Sequence, residues 1–195
     1  MRKGGRTMSS VMKSLEGFPV VIYDSENNYI TKAIIQVYDK SDMSIEISEE
    51  LPDIRQGTRL SLLVIHPGGA SEFSGIARRM HAGMREISLF NERQREARTS
   101  ARHSLNEPAV INNLIVNAQK KALPAPLSIT VENISTTGAL VIAPEESIAL
   151  GDVLEIDINI SGQAALLYGA VVRAQPIGDG LIKFGCRFVF FEQSV

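Results

Sequence analysis

Apolar and polar residues alternate along much of this chain at the period of a β-strand. The clearest run is Asp152–Ile160, DVLEIDINI, where Leu154, Ile156, Ile158 and Ile160 share one side and Glu155, Asp157 and Asn159 the other. Such alternation predicts a half-buried strand. Similar runs in the first half are PVVIYD, YITKAIIQVY, SIEIS, RLSLLVI, SEFSGIARR and MREISLF. In the second half they are LSITVEN, ALVIA, ALLYGAVVRA and LIKFGCRFVFF. Turn chemistry separates them, as in HPGG at 66–69, ISG at 160–162 and IGDG at 177–180. A 3.6-residue period is expected only in the N-terminal segment 1–15, a tail or short helix, and in a stretch within 106–121 that holds NNLIVNAQKK. Many short strands with frequent turns predict an all-β protein.

The two halves also resemble each other. Shifted by 94 residues, Ile148, Gly151, Leu154, Ile156 and Ile158 fall on Ile54, Gly57, Leu60, Leu62 and Val64. Gly169 and Arg173 fall on Gly75 and Arg79. Each half reads as a turn glycine, an alternating strand, a hairpin, then a strand opening on Gly with Arg four residues on. The expected fold is two small six-stranded (split) β-barrels in tandem, over 16–90 and 105–195, joined by an Arg-rich hinge at 91–104.

Composition narrows the function. A chain of 195 residues with 44% hydrophobic content can bury one core or two small ones. The net charge of −2 and the absence of Trp exclude a nucleic-acid-binding polycation, so any anion site must be local. The single cysteine, Cys186, cannot form an internal disulfide and is expected in a strand core. No apolar run approaches the ~20 residues of a membrane span, and the N-terminus lacks a signal-peptide core. A cytoplasmic protein without membrane insertion is expected. His66, His81 and His103 are expected to be exposed, and none has metal-ligand spacing to another His or to Cys186. Neither a phosphate-cradling loop nor a nucleophile elbow is present, so no catalytic residue, metal or cofactor is expected.

The local charge lies at 92–105, ERQREARTSARHSL, with arginines at 93, 95, 98 and 102. On a helix, Glu92–Arg95 and Arg93–Glu96 would pair, but Arg98 and Arg102 would have no acidic partner. A second polar stretch, NISTTG at 133–138, sits between two strand-like runs. It reads either as a turn whose Ser bonds its own backbone, or as a site offering an amide, a hydroxyl and a glycine open to a ligand.

Together, Arg98-Thr-Ser-Ala-Arg102 and Asn133-Ile-Ser135-Thr-Thr-Gly138 resemble the RxxxR and [D/N]xSxxG signatures of the PilZ family, the receptor domain for cyclic di-GMP. The resemblance covers about residues 93–192. It implies that Arg98 and Arg102 bind phosphates and stack on guanines, that Asn133 and Ser135 bond guanine edges, and that Gly138 keeps the strand open. Arginine suits this chemistry through its planar bidentate fork and stacking face. Arg95 and Arg173 are possible accessory residues, and Ala97, where many members have arginine, leans towards a single bound ligand.

The resemblance extends to flagellar-brake-type members with a barrel ahead of the receptor domain. By the 94-residue shift, Asp39, Ser41 and Ser44 stand where Asn133, Ser135 and Gly138 stand, and Arg2 and Arg6 form an upstream pair. Ser44 in place of glycine marks this barrel as a non-binding relative. The expected mechanism is a switch. Without ligand the hinge is mobile and the barrels loosely related; ligand orders the hinge and presents a surface to an unidentified protein partner, a flagellar motor or secretion component. Two other readings are a ligand-independent adaptor and a single-stranded nucleic-acid-binding barrel. The latter would need aromatics interleaved in a basic groove, whereas the phenylalanines cluster in FGCRFVFF.

Overall fold

The computed structural model describes residues 14–48, 54–67, 69–81, 84–92, 101–117 and 119–189, with only the backbone for 79–81, 84–85 and 91–92. The first six strands are β1 (Pro19–Tyr23), β2 (Tyr29–Asp39), β3 (Ser44–Ile47), β4 (Arg59–His66), β5 (Gly69–His81) and β6 (Met84–Glu92). They close into a barrel in the order β1-β2-β3-β6-β5-β4. The next six are β7 (His103–Val116), β8 (Gln119–Ser135), β9 (Gly138–Pro144), β10 (Val153–Ile160), β11 (Gln163–Gly178) and β12 (Leu181–Phe188). They close in the matching order β7-β8-β9-β12-β11-β10. The expected pair of six-stranded barrels is present, and each is closed.

The duplication reaches individual residue pairs. Gly75 lies opposite Leu60 and Leu89, as Gly169 lies opposite Leu154 and Phe188. A bulge at Ala77/Arg79 facing β6 recurs at Val171/Arg173 facing β12. The turn glycines Gly57 and Gly151 have φ of 89° and 91°. Each donates its N–H to the neighbouring strand, to Ala77 O at 2.8 Å and Val171 O at 2.9 Å. Left-handed backbone is open to glycine because it carries no Cβ.

Three expectations change. Residues 106–116 and 119–121 are strand, not helix: they form most of β7 and the start of β8. The run was hidden because Asn106 takes a φ of 53°, Pro108 interrupts the alternation, and His103 and Ala109 occupy inward positions that a hydropathy pattern overlooks. Leu15, expected in the tail, is 3% exposed and packs in the first barrel's core. Residues 1–13 of the expected tail or helix lie outside the described residues.

The third change concerns how the barrels meet. Val20, Ile22, Leu62 and Val64 fill the first barrel. Their neighbours Val21, Tyr23, Leu63 and Ile65 belong to the same buried cluster as the second barrel's Ile111, Val131, Ile156 and Phe184. β1 and β4 are therefore buried on both faces, which explains the unbroken apolar runs PVVIY and LLVI. A Cβ on Gly69 would lie 2.8 Å from Cδ2 of Phe188, so that ring sits directly on the β4–β5 hairpin. The barrels are joined by a packed apolar interface rather than loosely related.

Candidate functional site

On the second barrel, β8 and β9 are joined by the two-residue turn Thr136–Thr137, with Ser135 opposite Gly138. The Ser135 hydroxyl accepts the Thr137 N–H at 3.3 Å and donates to Gly138 O at 3.2 Å. Its role within the turn is thus the local backbone bonding typical of serine. Gly138 has a structural reason of its own. A Cβ there would overlap the carbonyl oxygen of Cys186 on β12, so the β9–β12 approach requires glycine.

Asn133 differs from both. It follows a bulge at Glu132 and is half-buried. Among the described residues its carboxamide makes no hydrogen bond. It lies opposite Ser104 on β7 and Leu140 on β9. Arg102, exposed, immediately precedes β7, so the end of the RxxxR segment emerges beside this carboxamide. Arg98 lies outside the described residues, as do Arg93 and Arg95.

Two cross-strand rows define the face. One runs Ser104, Asn133, Leu140, Gly185, Arg173 across β7, β8, β9, β12 and β11. The other runs Ser135, Gly138, Arg187, Ala170. A Cβ on Gly185 would lie 2.6 Å from Arg173 Cγ, so the Arg173 stem lies flat over that glycine. Lys183 is held by Glu132 at 2.6 Å. Leu140 apart, small residues form the floor, with Arg173 at one end and Arg187 rising between Gly138 and Ala170, an arrangement suited to a flat, anionic, ring-bearing ligand.

Strand register also corrects the comparison between the barrels. The β2–β3 turn is two residues longer than its counterpart, since Asp39 pairs with Ser44 as Ser135 pairs with Gly138. The counterpart of Asn133 is therefore Val37, not Asp39, and that of Ser135 is Asp39, not Ser41. Asp39 Oδ1 is occupied by the N–H groups of Ser41 and Asp42 at 2.8 and 3.2 Å and by the Ser41 hydroxyl. These bonds hold its carboxyl below the usual range, the Ser41 hydroxyl contributing most. The first barrel's version of the face is a groove of about 250 Å³ lined by Val37, Asp39, Asp42, Glu46 and Glu86, with Arg78 3.6 Å from Glu86. Four carboxylates against one guanidinium oppose an anionic ligand.

His103 is the residue the sequence concealed. Expected exposed in the hinge, it opens β7 with 1% exposure, packed between the barrels. Its ring lies against Tyr23, and its Nε2 is 3.8 Å from Glu72 Oε2. Only its place beside the apolar Leu105 in an alternating run signals this in the sequence. His66 is half-buried at the end of β4 rather than exposed in a turn, and burial lowers its pKa to about 4. The Cys186 thiol is buried and its pKa pushed up to about 12. Among the described residues no cluster of three metal-ligating side chains occurs, and no helix is long and apolar enough to cross a membrane.

The site thus belongs to a tandem six-stranded barrel whose second unit carries the polar motif on its outer surface. The PilZ domain model matches residues 92–194, more than half of the chain, and the chain belongs to the PilZ domain family. No curated protein matches it by sequence. Among solved structures it is similar to Bacillus subtilis MotI/DgrA, an inhibitor of motility, at 13% identity and TM-score 0.38, covering 91% of this chain and 90% of that one. It is also similar to K. pneumonia MrkH in a c-di-GMP complex, at 13% identity and TM-score 0.37, covering 90% and 80%. A third is Escherichia coli YcgR in complex with c-di-GMP, at 9% identity and TM-score 0.36, covering 91% and 78%. At these scores the overlaps carry no argument about function.

Proposed function

We propose that this chain is a cytoplasmic cyclic di-GMP receptor, not an enzyme, that needs no other cofactor. The observation that carries the reading is the Asn133 carboxamide, which makes no hydrogen bond among the described residues and lies beside the strand entered through Arg102. Membership of the PilZ family supplies the ligand class. Arg98 and Arg102 clamp the phosphates and stack on the bases, and Asn133 bonds a guanine edge. Ser135 and Gly138 shape the turn that presents Asn133, and Arg173 closes the far end of its row. The first barrel does not bind this ligand, because Val37 replaces the carboxamide and carboxylates line the groove.

Ligand binding passes to a protein partner in motility, secretion or surface-polysaccharide control. Because the barrels share a packed interface, the response is a shift about that joint rather than the docking of free bodies. Thermal melting with and without cyclic di-GMP tests the reading. A ligand that binds only the folded chain raises the melting temperature with concentration. An unchanged melting temperature at millimolar cyclic di-GMP, or an equal rise with single-stranded oligonucleotides, would contradict it.

A further inference from the structure

The barrels are two versions of one backbone, so corresponding positions show which side chains turn a bare barrel face into an anion site. In the Asn133 row, Val37, Glu46 and Glu86 of the first barrel become Asn133, Leu140 and Gly185. In the neighbouring row, Asp39, Ser44 and Ser88 become Ser135, Gly138 and Arg187. Three carboxylates disappear, and one cation arrives where the first barrel has none. That cation is Arg187.

Its surroundings fit a ligand contact. Arg187 lies opposite Gly138 on β9 and Ala170 on β11, so the positions on either side of it carry almost no side chain. It is exposed, and no ion pair engages it among the described residues. Lys183, four residues earlier on the same strand face, is paired with Glu132, and Arg173 lies over Gly185, two residues earlier. With strands spaced ~4.8 Å apart, Arg187 is roughly 14 Å from β7, where Arg102 emerges. That span suits a ligand with two phosphates and two stacked rings.

We propose that Arg187 is a third ligand-binding arginine, placed across the small-residue floor from Arg102, where it adds a bidentate contact to the phosphate on its side of the ligand. The inference rests on the receptor reading. It assigns the residue from the internal duplication, and the RxxxR and [D/N]xSxxG signatures do not contain it.

The test is calorimetric titration of the full chain with cyclic di-GMP, using Arg187→Ala, Arg187→Lys, Asn133→Ala and, as a control on the other barrel, Arg55→Ala. Arg187→Ala is expected to weaken binding at least tenfold with an unchanged melting curve. Arg187→Lys should recover only part of the loss, because an ammonium cannot form the bidentate contact. The salt dependence of the dissociation constant should become shallower by about one charge in Arg187→Ala. Arg55→Ala should match wild type. Binding within twofold of wild type in Arg187→Ala, while Asn133→Ala abolishes it, overturns the role of Arg187 and leaves the receptor reading standing. Absence of binding by the wild-type chain overturns both.

Discussion

The ring of His103 lies 4.5 Å from that of Tyr23, with the planes tilted by 39°, and this contact joins the two barrels at the point where the arginine segment ends. The Tyr23 hydroxyl donates to Ser104 O at 3.0 Å, Asn27 Nδ2 to Arg102 O at 3.5 Å, and Lys32 pairs with Glu107 at 2.5 Å. Three of these first-barrel residues, Tyr23, Asn27 and Lys32, sit on or between β1 and β2. The opening of β7 is thus held by the first barrel on one side and by the Asn133 strand on the other. A ligand that moves Arg102 necessarily loads this joint.

Removal of one hydrogen bond from the joint is expected to cost about 1 kcal/mol. Tyr23→Phe should lower stability by that amount in urea unfolding. Tyr23→Ala also removes a ring that is 0% exposed and should cost about 3–5 kcal/mol. A neutral Tyr23→Ala would show that the barrels are not held here.

A second prediction concerns the β7–β8 hairpin, whose arm folds over β10. Glu155, 6% exposed, receives Asn113 Nδ2 at 2.6 Å, the Tyr168 hydroxyl at 3.1 Å and Lys120 Nζ at 2.5 Å. Burial alone would raise its pKa, but the bonds from Lys120, Asn113 and Tyr168 together bring it below the ordinary value of 4.5. A carboxyl with a lowered pKa in the folded state stabilises fully above its unfolded value, and that contribution disappears as the pH falls through the folded value. Wild type should exceed Glu155→Gln in stability at pH 7, by about 1 kcal/mol because Lys120 is partly exposed. The gap should shrink as the pH drops below 4.5. A gap that grows on acidification would contradict the assignment.

Gly138→Ala separates architecture from recognition. Its new Cβ would overlap the Cys186 carbonyl, forcing β9 from β12, and overpacking of this kind costs about 1–3 kcal/mol. Asn133→Ala, which breaks no hydrogen bond among the described residues, should leave stability nearly unchanged. Chemical denaturation of the two variants distinguishes them, and equal stabilities would remove the structural reason for the glycine.

Cys186 should be unreactive while the chain is folded. Its buried thiol, with a pKa pushed up to about 12, offers almost no thiolate at pH 8. A thiol-reactive dye should label it only on unfolding; rapid labelling of the native protein would contradict its burial.

Most of the barrel architecture was legible because strands with one solvated face print their period on the sequence, as Leu154 to Ile160 do. β7 was not, because His103 and Ala109 fill inward positions and Pro108 breaks the pattern. The repeat was legible only while the offset held. It stays at 94 through Arg79 and Arg173 but becomes 99 at Glu86 and Gly185, because the β11–β12 hairpin is longer. Arg187 therefore could not be matched to Ser88 by an ungapped shift. The same effect, in the longer β2–β3 turn, aligned Asn133 with Asp39 instead of Val37. Among motif residues, Asn133 and Arg102 could be placed side by side only once β7 and β8 were paired.

The most direct test is calorimetric titration of the purified chain with cyclic di-GMP, alongside Arg102→Ala and Asn133→Ala. The expected result is saturable binding by wild type that each substitution weakens at least tenfold without changing the fold. Folded wild-type protein that gives no heat, or binding that both substitutions leave intact, would contradict the receptor account.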